Sequence, residues 1–79
     1  MTYTLENVIE LSAMYLGQKR GQRLDAGTKI KSVGPYSGSP GVAGFYAERE
    51  SVWLYYAAPA CDLPADAQEE YTRNGGTTC

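Results

Sequence analysis

Apolar positions in the first twenty residues recur three and four apart. Leu5, Val8, Ile9 and Leu16, with Ser12 among them, share one helical face, and Leu11, Met14 and Tyr15 flank it. Thr4 suits an N-cap, Glu6 the first turn, Lys19 and Arg20 the last turn, and Gly21 a C-terminal stop. The pattern predicts a helix from about Thr4 to Arg20. A loop through Asp25, Ala26 and Gly27 leads to TKIKSV, whose apolar positions Ile30 and Val33 mark a short strand with lysines suited to an edge. Residues 34–44, rich in Gly, Pro and Ser, read as loop. Phe45 to Glu48 and Val52 to Ala58 read as two strands of a hairpin joined by Glu48-Arg49-Glu50-Ser51. Asp62-Leu63-Pro64 opens a second helix, to about Arg73, with Asp66 and Glu69 at capping-box spacing and Gly75-Gly76 beyond its end.

Alternation along 52–58 places Trp53, Tyr55 and Ala57 on one sheet face and Val52, Leu54 and Tyr56 on the other. Both faces are apolar, so each needs a cover: the N-terminal helix for one, the C-terminal segment for the other. The expected fold is α+β: an N-terminal helix packed on a small three-stranded antiparallel sheet, with a short C-terminal helix. It is one domain over residues 1–79, with 74–79 as a frayed tail.

Length limits the core. A chain of 79 residues buries only about 60–65% of its unfolded surface. Nine aromatic rings, seven Tyr with one Trp and one Phe, exceed what so thin a core encloses. Some of Tyr36, Tyr46, Tyr55 and Tyr56 therefore face solvent, while Trp53 and two or three tyrosines build the core. Exposed tyrosines give large contact area at low entropy cost.

Charge sharpens this picture. The net charge of −2 divides unevenly. Residues 1–46 carry Lys19, Arg20, Arg23, Lys29 and Lys31 against three acids, and residues 47–79 carry Glu48, Glu50, Asp62, Asp66, Glu69 and Glu70 against two bases. Such polarity orients a partner by long-range steering, although each cluster also reads simply as a solvated face. The basic cluster could touch phosphates, but a pI near 4.9 runs against the usual footprint of a nucleic-acid binder.

Candidate chemistry is sparse. The chain has no histidine, which removes the usual general base and the commonest metal ligand. Gly38, Gly41 and Gly44 precede a strand and no Walker lysine follows, so no phosphate loop is expected. The pairs Glu48/Glu50 and Glu69/Glu70 read as solvated surface, since acid–base work needs two carboxylates converging in a cleft. Cys61 has no histidine to activate it and reads as a packed, inert thiol. Cys79 reads as a terminal thiol open to intermolecular oxidation, and a Cys61–Cys79 bridge is the alternative, worth about 3 kcal/mol in the chain-entropy model. The expectation is no enzyme, no cofactor and no metal. With no apolar run near membrane length, and an N-terminus unlike a signal peptide, the expectation is also a cytoplasmic protein, monomeric or weakly dimeric, that can form a Cys79-linked dimer on oxidation.

Over its full length, and through MTYTLENVIELSAMYLGQKR and GFYAERESVWLYYAAP, the chain resembles the small anti-CRISPR proteins of phages and prophages, in particular inhibitors of type I-C Cascade. The resemblance implies non-enzymatic inhibition in the cytoplasm of a bacterial host. The protein would bind the CRISPR surveillance complex and stop it engaging target DNA. These inhibitors share size and habit rather than a motif, so no residue role carries over. The expected partner-binding set rests on charge and aromatic placement alone: Glu48, Glu50, Asp66, Glu69 and Glu70 toward a basic surface, with Tyr36, Tyr46 and Tyr55 supplying contact area. The alternatives are a small nucleic-acid-binding or regulatory phage protein using the basic 19–31 region, and a phage structural or adaptor subunit.

Overall fold

The computed structural model describes residues 2–11, 23–36 and 40–77. Among these residues six strands and one α-helix follow in chain order: β1 Thr2–Thr4, β2 Ile9–Glu10, β3 Arg23–Leu24, β4 Lys29–Pro35, β5 Val42–Arg49, β6 Val52–Pro59, a 3-10 turn Ala60–Asp62, and α1 Ala65–Arg73. β1-β4-β5-β6 form one antiparallel sheet, and β2 and β3 pair as a second.

The expected fold is overturned at its N-terminus. Residues 2–4 and 9–10 are strands, so no helix begins at Thr4, and residues 12–20 of the expected helix lie outside the described residues. The sheet has four strands, not three, and the helix packed on it is α1. The physical reason lies in a second periodicity. Tyr3, Leu5, Ile9 and Leu11 are buried, while Thr4 and Glu10 between them are exposed. This is two stretches of period 2, interrupted around Glu6-Asn7-Val8, and Val8 is 54% exposed. Leu5, Val8 and Ile9 mimic helical spacing only because that interruption shifts the phase. β1 runs against β4, and Leu5 continues the pairing by donating its amide to the Thr28 carbonyl at 2.9 Å.

A bulge lets β4 bury two residues three apart. Pairing with β5 passes from Lys31–Tyr46 to Gly34–Gly44, so Ser32 and Val33 oppose Phe45 alone. Ser32 adopts the left-handed conformation (φ 57°). Ile30 and Val33 thereby both reach the core, fully buried. The amide and carbonyl of Val33 find partners on the helix: the Glu70 carboxylate accepts the Val33 amide at 2.8 Å, and Asn74 Nδ2 donates to the Val33 carbonyl at 2.8 Å. The Tyr3 hydroxyl donates to the other Glu70 oxygen at 2.6 Å. Those bonds fix α1 over the sheet, where Ala67 and Tyr71 join Phe45, Val33, Tyr56 and Leu63 in the core.

The expected 34–44 loop is strand at its two ends, because β4 extends to Pro35 and β5 begins at Val42, while Tyr36, Pro40 and Gly41 are not strand and 37–39 lie outside the described residues. Glu48 and Glu50 do not share a strand face. β5 ends at Arg49, and Glu50 (φ 52°) and Ser51 (φ 67°) form the two-residue turn of the hairpin. No Asp66–Glu69 capping box forms. Pro64 is the N-cap, Asp66 accepts the Ala67 amide at 2.9 Å, and Gln68 instead donates back to the Leu63 carbonyl at 2.7 Å. Residues 74–76, expected in a frayed tail, close the helix. The Gly75 amide donates to Thr72 and the Gly76 amide to Tyr71, with Gly75 left-handed at φ 98°.

Candidate functional site

Opposite the helix, the same sheet presents aromatic side chains. Along β5 the core residues Ala43, Phe45 and Ala47 alternate with Gly44, Tyr46 and Glu48. Along β6, Tyr56 and Ala58 alternate with Trp53, Tyr55 and Ala57. Cross-strand register then sets the outer row. Lys31 lies opposite Tyr46, Tyr46 opposite Tyr55, and Glu48 opposite Trp53.

The rings touch. Tyr46 meets Tyr55 edge-to-face, centroids 5.2 Å apart, and Tyr36 stacks on Tyr55 at 6.5 Å with 25° between planes. Lys31 Nζ sits 4.3 Å from the centre of the Trp53 ring. Gly44 makes room beneath: a Cβ there would run into the Tyr55 phenol. Tyr46 is 40% exposed, while Trp53, Tyr55, Tyr36 and Lys31 are half-buried. The chemistry of this surface is flat apolar area with a cation at one end and the Glu48 carboxylate beside it.

The expected partner-binding set divides in two. Tyr36, Tyr46 and Tyr55 come together, and Glu48 joins them. Glu50 caps the hairpin end. Asp66, Glu69 and Glu70 lie on α1, across the sheet from the tyrosines. Glu70 has both carboxylate oxygens engaged, on Tyr3 and Val33. The Tyr3 phenol is held above its usual value, first by the hydrogen bond to Glu70, then by burial and the nearby negative charge. Glu69 pairs along the helix with Arg73 at 3.8 Å.

Trp53 and Lys31 were not in that set. The alternation that puts Trp53 beside Tyr55 is visible in the chain, but its pairing with Lys31 needs the β4–β5 register. Trp53, expected in the core, is only half-buried, and among the described residues Tyr3, Tyr56 and Tyr71 are the buried aromatics beside Phe45. The basic region 19–31 is dispersed where it is described. Arg23 pairs with Glu10 at 3.8 Å in the second sheet, and Lys29 and Lys31 are on β4. Lys19 and Arg20 lie outside the described residues.

Cys61 is disulfide-bonded rather than a packed thiol. The chain's one other cysteine is Cys79, which is outside the described residues. A hollow of about 400 Å³ beside Cys61 is lined by Glu6, Glu10 and Asp62, with Val8 and Leu63. Among the described residues no three His, Cys, Asp or Glu side chains gather as a metal site would require. No described helix is long and apolar enough to cross a membrane.

No family model, no curated protein and no solved structure matches this chain.

Proposed function

We propose that this protein works without chemistry, as a stoichiometric inhibitor that binds a protein complex through the outer face of its sheet. The observation carrying this reading is the run of Tyr36, Tyr55 and Tyr46 with the Lys31–Trp53 pair on the sheet face opposite α1. Rigid aromatic area bordered by single charges suits a protein surface. The resemblance to phage anti-CRISPR proteins gives the partner, the type I surveillance complex Cascade in the bacterial cytoplasm, and gives the blocked step, target DNA binding.

The experiment is a target-DNA binding assay with purified Cascade, run with and without reductant because a cytoplasm opens accessible disulfides. Wild-type protein inhibits at stoichiometric amounts. Tyr46→Ala and Trp53→Ala each weaken inhibition by about tenfold or more, a typical loss for an interface anchor. Glu48→Lys changes association rate and salt dependence more than dissociation. Wild-type protein that neither binds Cascade nor alters DNA binding refutes the reading.

One observation favours a second ligand class. Lys31 above Trp53, beside stacked tyrosines, is also how a sheet holds single-stranded bases. Anisotropy with labelled single-stranded DNA and RNA at low salt separates the two readings. Micromolar binding that is lost in Trp53→Ala replaces the protein partner with nucleic acid.

A further inference from the structure

The chain leaving α1 is tied down on both sides of one peptide bond, the one that joins Asn74 to Gly75. The Asn74 amide donates to the Glu70 carbonyl at 3.0 Å and the Gly75 amide to the Thr72 carbonyl at 3.0 Å. The Gly76 amide follows, donating to the Tyr71 carbonyl at 2.9 Å. Gly76 lies so close to the Tyr71 ring that a Cβ there would enter it. The Asn74 side chain is held as well, its Nδ2 donating to the Val33 carbonyl of β4 at 2.8 Å. Residue 74 as a whole is nevertheless exposed, so water reaches it.

Asparagine followed by glycine is a chemically reactive pair, because the nitrogen of a residue without Cβ approaches the preceding side chain with least hindrance. The Gly75 nitrogen, having given its proton to a base in the water, attacks Asn74 Cγ. The N–Cγ bond forms, the Cγ–Nδ2 bond breaks, and Nδ2 takes up a proton and leaves as ammonia. Water then opens the five-membered imide at either carbonyl, leaving aspartate or isoaspartate at position 74. One water enters and one ammonia departs.

The folded geometry opposes that attack. Asn74 sits at φ −89° and ψ 15°. At that ψ the Gly75 nitrogen nearly eclipses the Asn74 nitrogen, whereas ring closure needs it on the side of Cβ. Turning it there breaks the Gly75–Thr72 bond, and bringing Cγ to meet it breaks the Nδ2–Val33 bond. The reaction therefore waits on a local opening of the helix end.

We infer that Asn74-Gly75 is a deamidation site guarded by the clamp between α1 and the β4 bulge, and that its conversion releases that clamp. The product offers no donor to the Val33 carbonyl and sets a carboxylate against it. The new charge stands four residues after Glu70, whose carboxylate already holds the Val33 amide, and like charges at that spacing repel on a helix. It also lies at the negative end of the helix dipole. Isoaspartate adds a methylene to the main chain besides, shifting Gly75 and Gly76 off Thr72 and Tyr71. Opening permits conversion and conversion favours opening, so the change runs one way.

Peptide mapping by mass spectrometry tests this on the intact chain, incubated at mildly alkaline pH in buffer and in urea. In urea the wild-type chain converts at residue 74, with the mass change of an amide becoming an acid. Folded protein converts there about tenfold to a hundredfold more slowly, as the joint opening of two hydrogen bonds requires. Glu70→Ala removes the neighbouring tie between α1 and Val33 and speeds conversion of the folded chain by about threefold or more. Val52→Thr, at the exposed hairpin end, leaves that rate unchanged. Asn74→Asp, the aspartate product made directly, lowers the melting temperature by about 4–8 °C, the shift that one lost hydrogen bond makes in a chain of this size. Equal rates in buffer and urea, no conversion at residue 74 in urea, a folded rate indifferent to Glu70→Ala, or unchanged melting of Asn74→Asp each overturns the proposal.

Discussion

The two faces of one sheet show what the same strands do under different demands. On the helix side, Ile30, Val33, Phe45, Tyr56 and Ala58 are closed off by α1, and the Val33 amide and carbonyl are met by Glu70 and Asn74. On the other side, Tyr46, Trp53 and Tyr55 alternate with those residues along the same backbone and have no described helix above them. Both faces carry apolar side chains, but the first is closed by packing against α1, whereas the second leaves Tyr46 exposed and Trp53 and Tyr55 half-buried.

Neighbouring residues on β5 give the sharpest way to break this comparison. Phe45→Ala, on the closed face, is expected to cost about 3–5 kcal/mol, which is most of the stability of a domain this small. Tyr46→Ala, one residue along and 40% exposed, is expected to cost under about 1 kcal/mol. Urea denaturation of the two variants measures both values. Comparable losses would mean that the faces are not energetically distinct.

Glu70→Ala comes next. It strands the Val33 amide and the Tyr3 hydroxyl in a part-buried site, at an expected cost of about 1.5–3 kcal/mol for losing bonds to a charged acceptor. The same contact makes stability depend on alkaline pH. The Tyr3 phenol is raised in the folded chain, so the folded state holds that proton more tightly. Its contribution is complete below the usual tyrosine value near 10 and is lost as pH rises through the higher folded value. Melting curves from pH 8 to about pH 11 should fall less steeply at the alkaline end in Tyr3→Phe.

Gly44→Ala tests the open face alone. The added Cβ displaces the Tyr55 ring, which changes near-ultraviolet dichroism. The expected stability loss is about 1 kcal/mol, within the ordinary range for a single substitution. Smallest and opposite in sign is the hairpin turn. Glu50→Asn with Ser51→Gly relieves two left-handed side-chain residues and is expected to stabilise by roughly 0.5–1 kcal/mol, measured as a higher melting temperature.

Legibility in the sequence followed the range of the interactions. The hairpin around Glu50-Ser51 was readable because its signals are local: dense Val, Trp, Leu and Tyr on either side of a polar break. The helix at Ala65–Arg73 was readable from Pro64 before it and glycines after it. The N-terminal strands were not. Tyr3 stands in a strand because β4 offers it a ladder, which the Leu5 amide extends to Thr28, and Ile9 because Leu24 lies opposite, and neither partner is near in sequence. At the candidate site, three of the expected tyrosines did gather, but the acids expected beside them divided between two faces.

The sequence by itself determined which residues of β5 and β6 share a face, since alternation is a property of any extended chain. It also determined the turn that joins them, and the lack of histidine chemistry. Only the tertiary structure decided which face became core. Both faces of β6 are apolar, so the choice fell to what could cover them. α1 covers the Tyr56 side because the bulge at Ser32–Val33 exposes backbone groups that Glu70 and Asn74 satisfy. That match joins residues 37 and 41 positions apart, and no local pattern carries it.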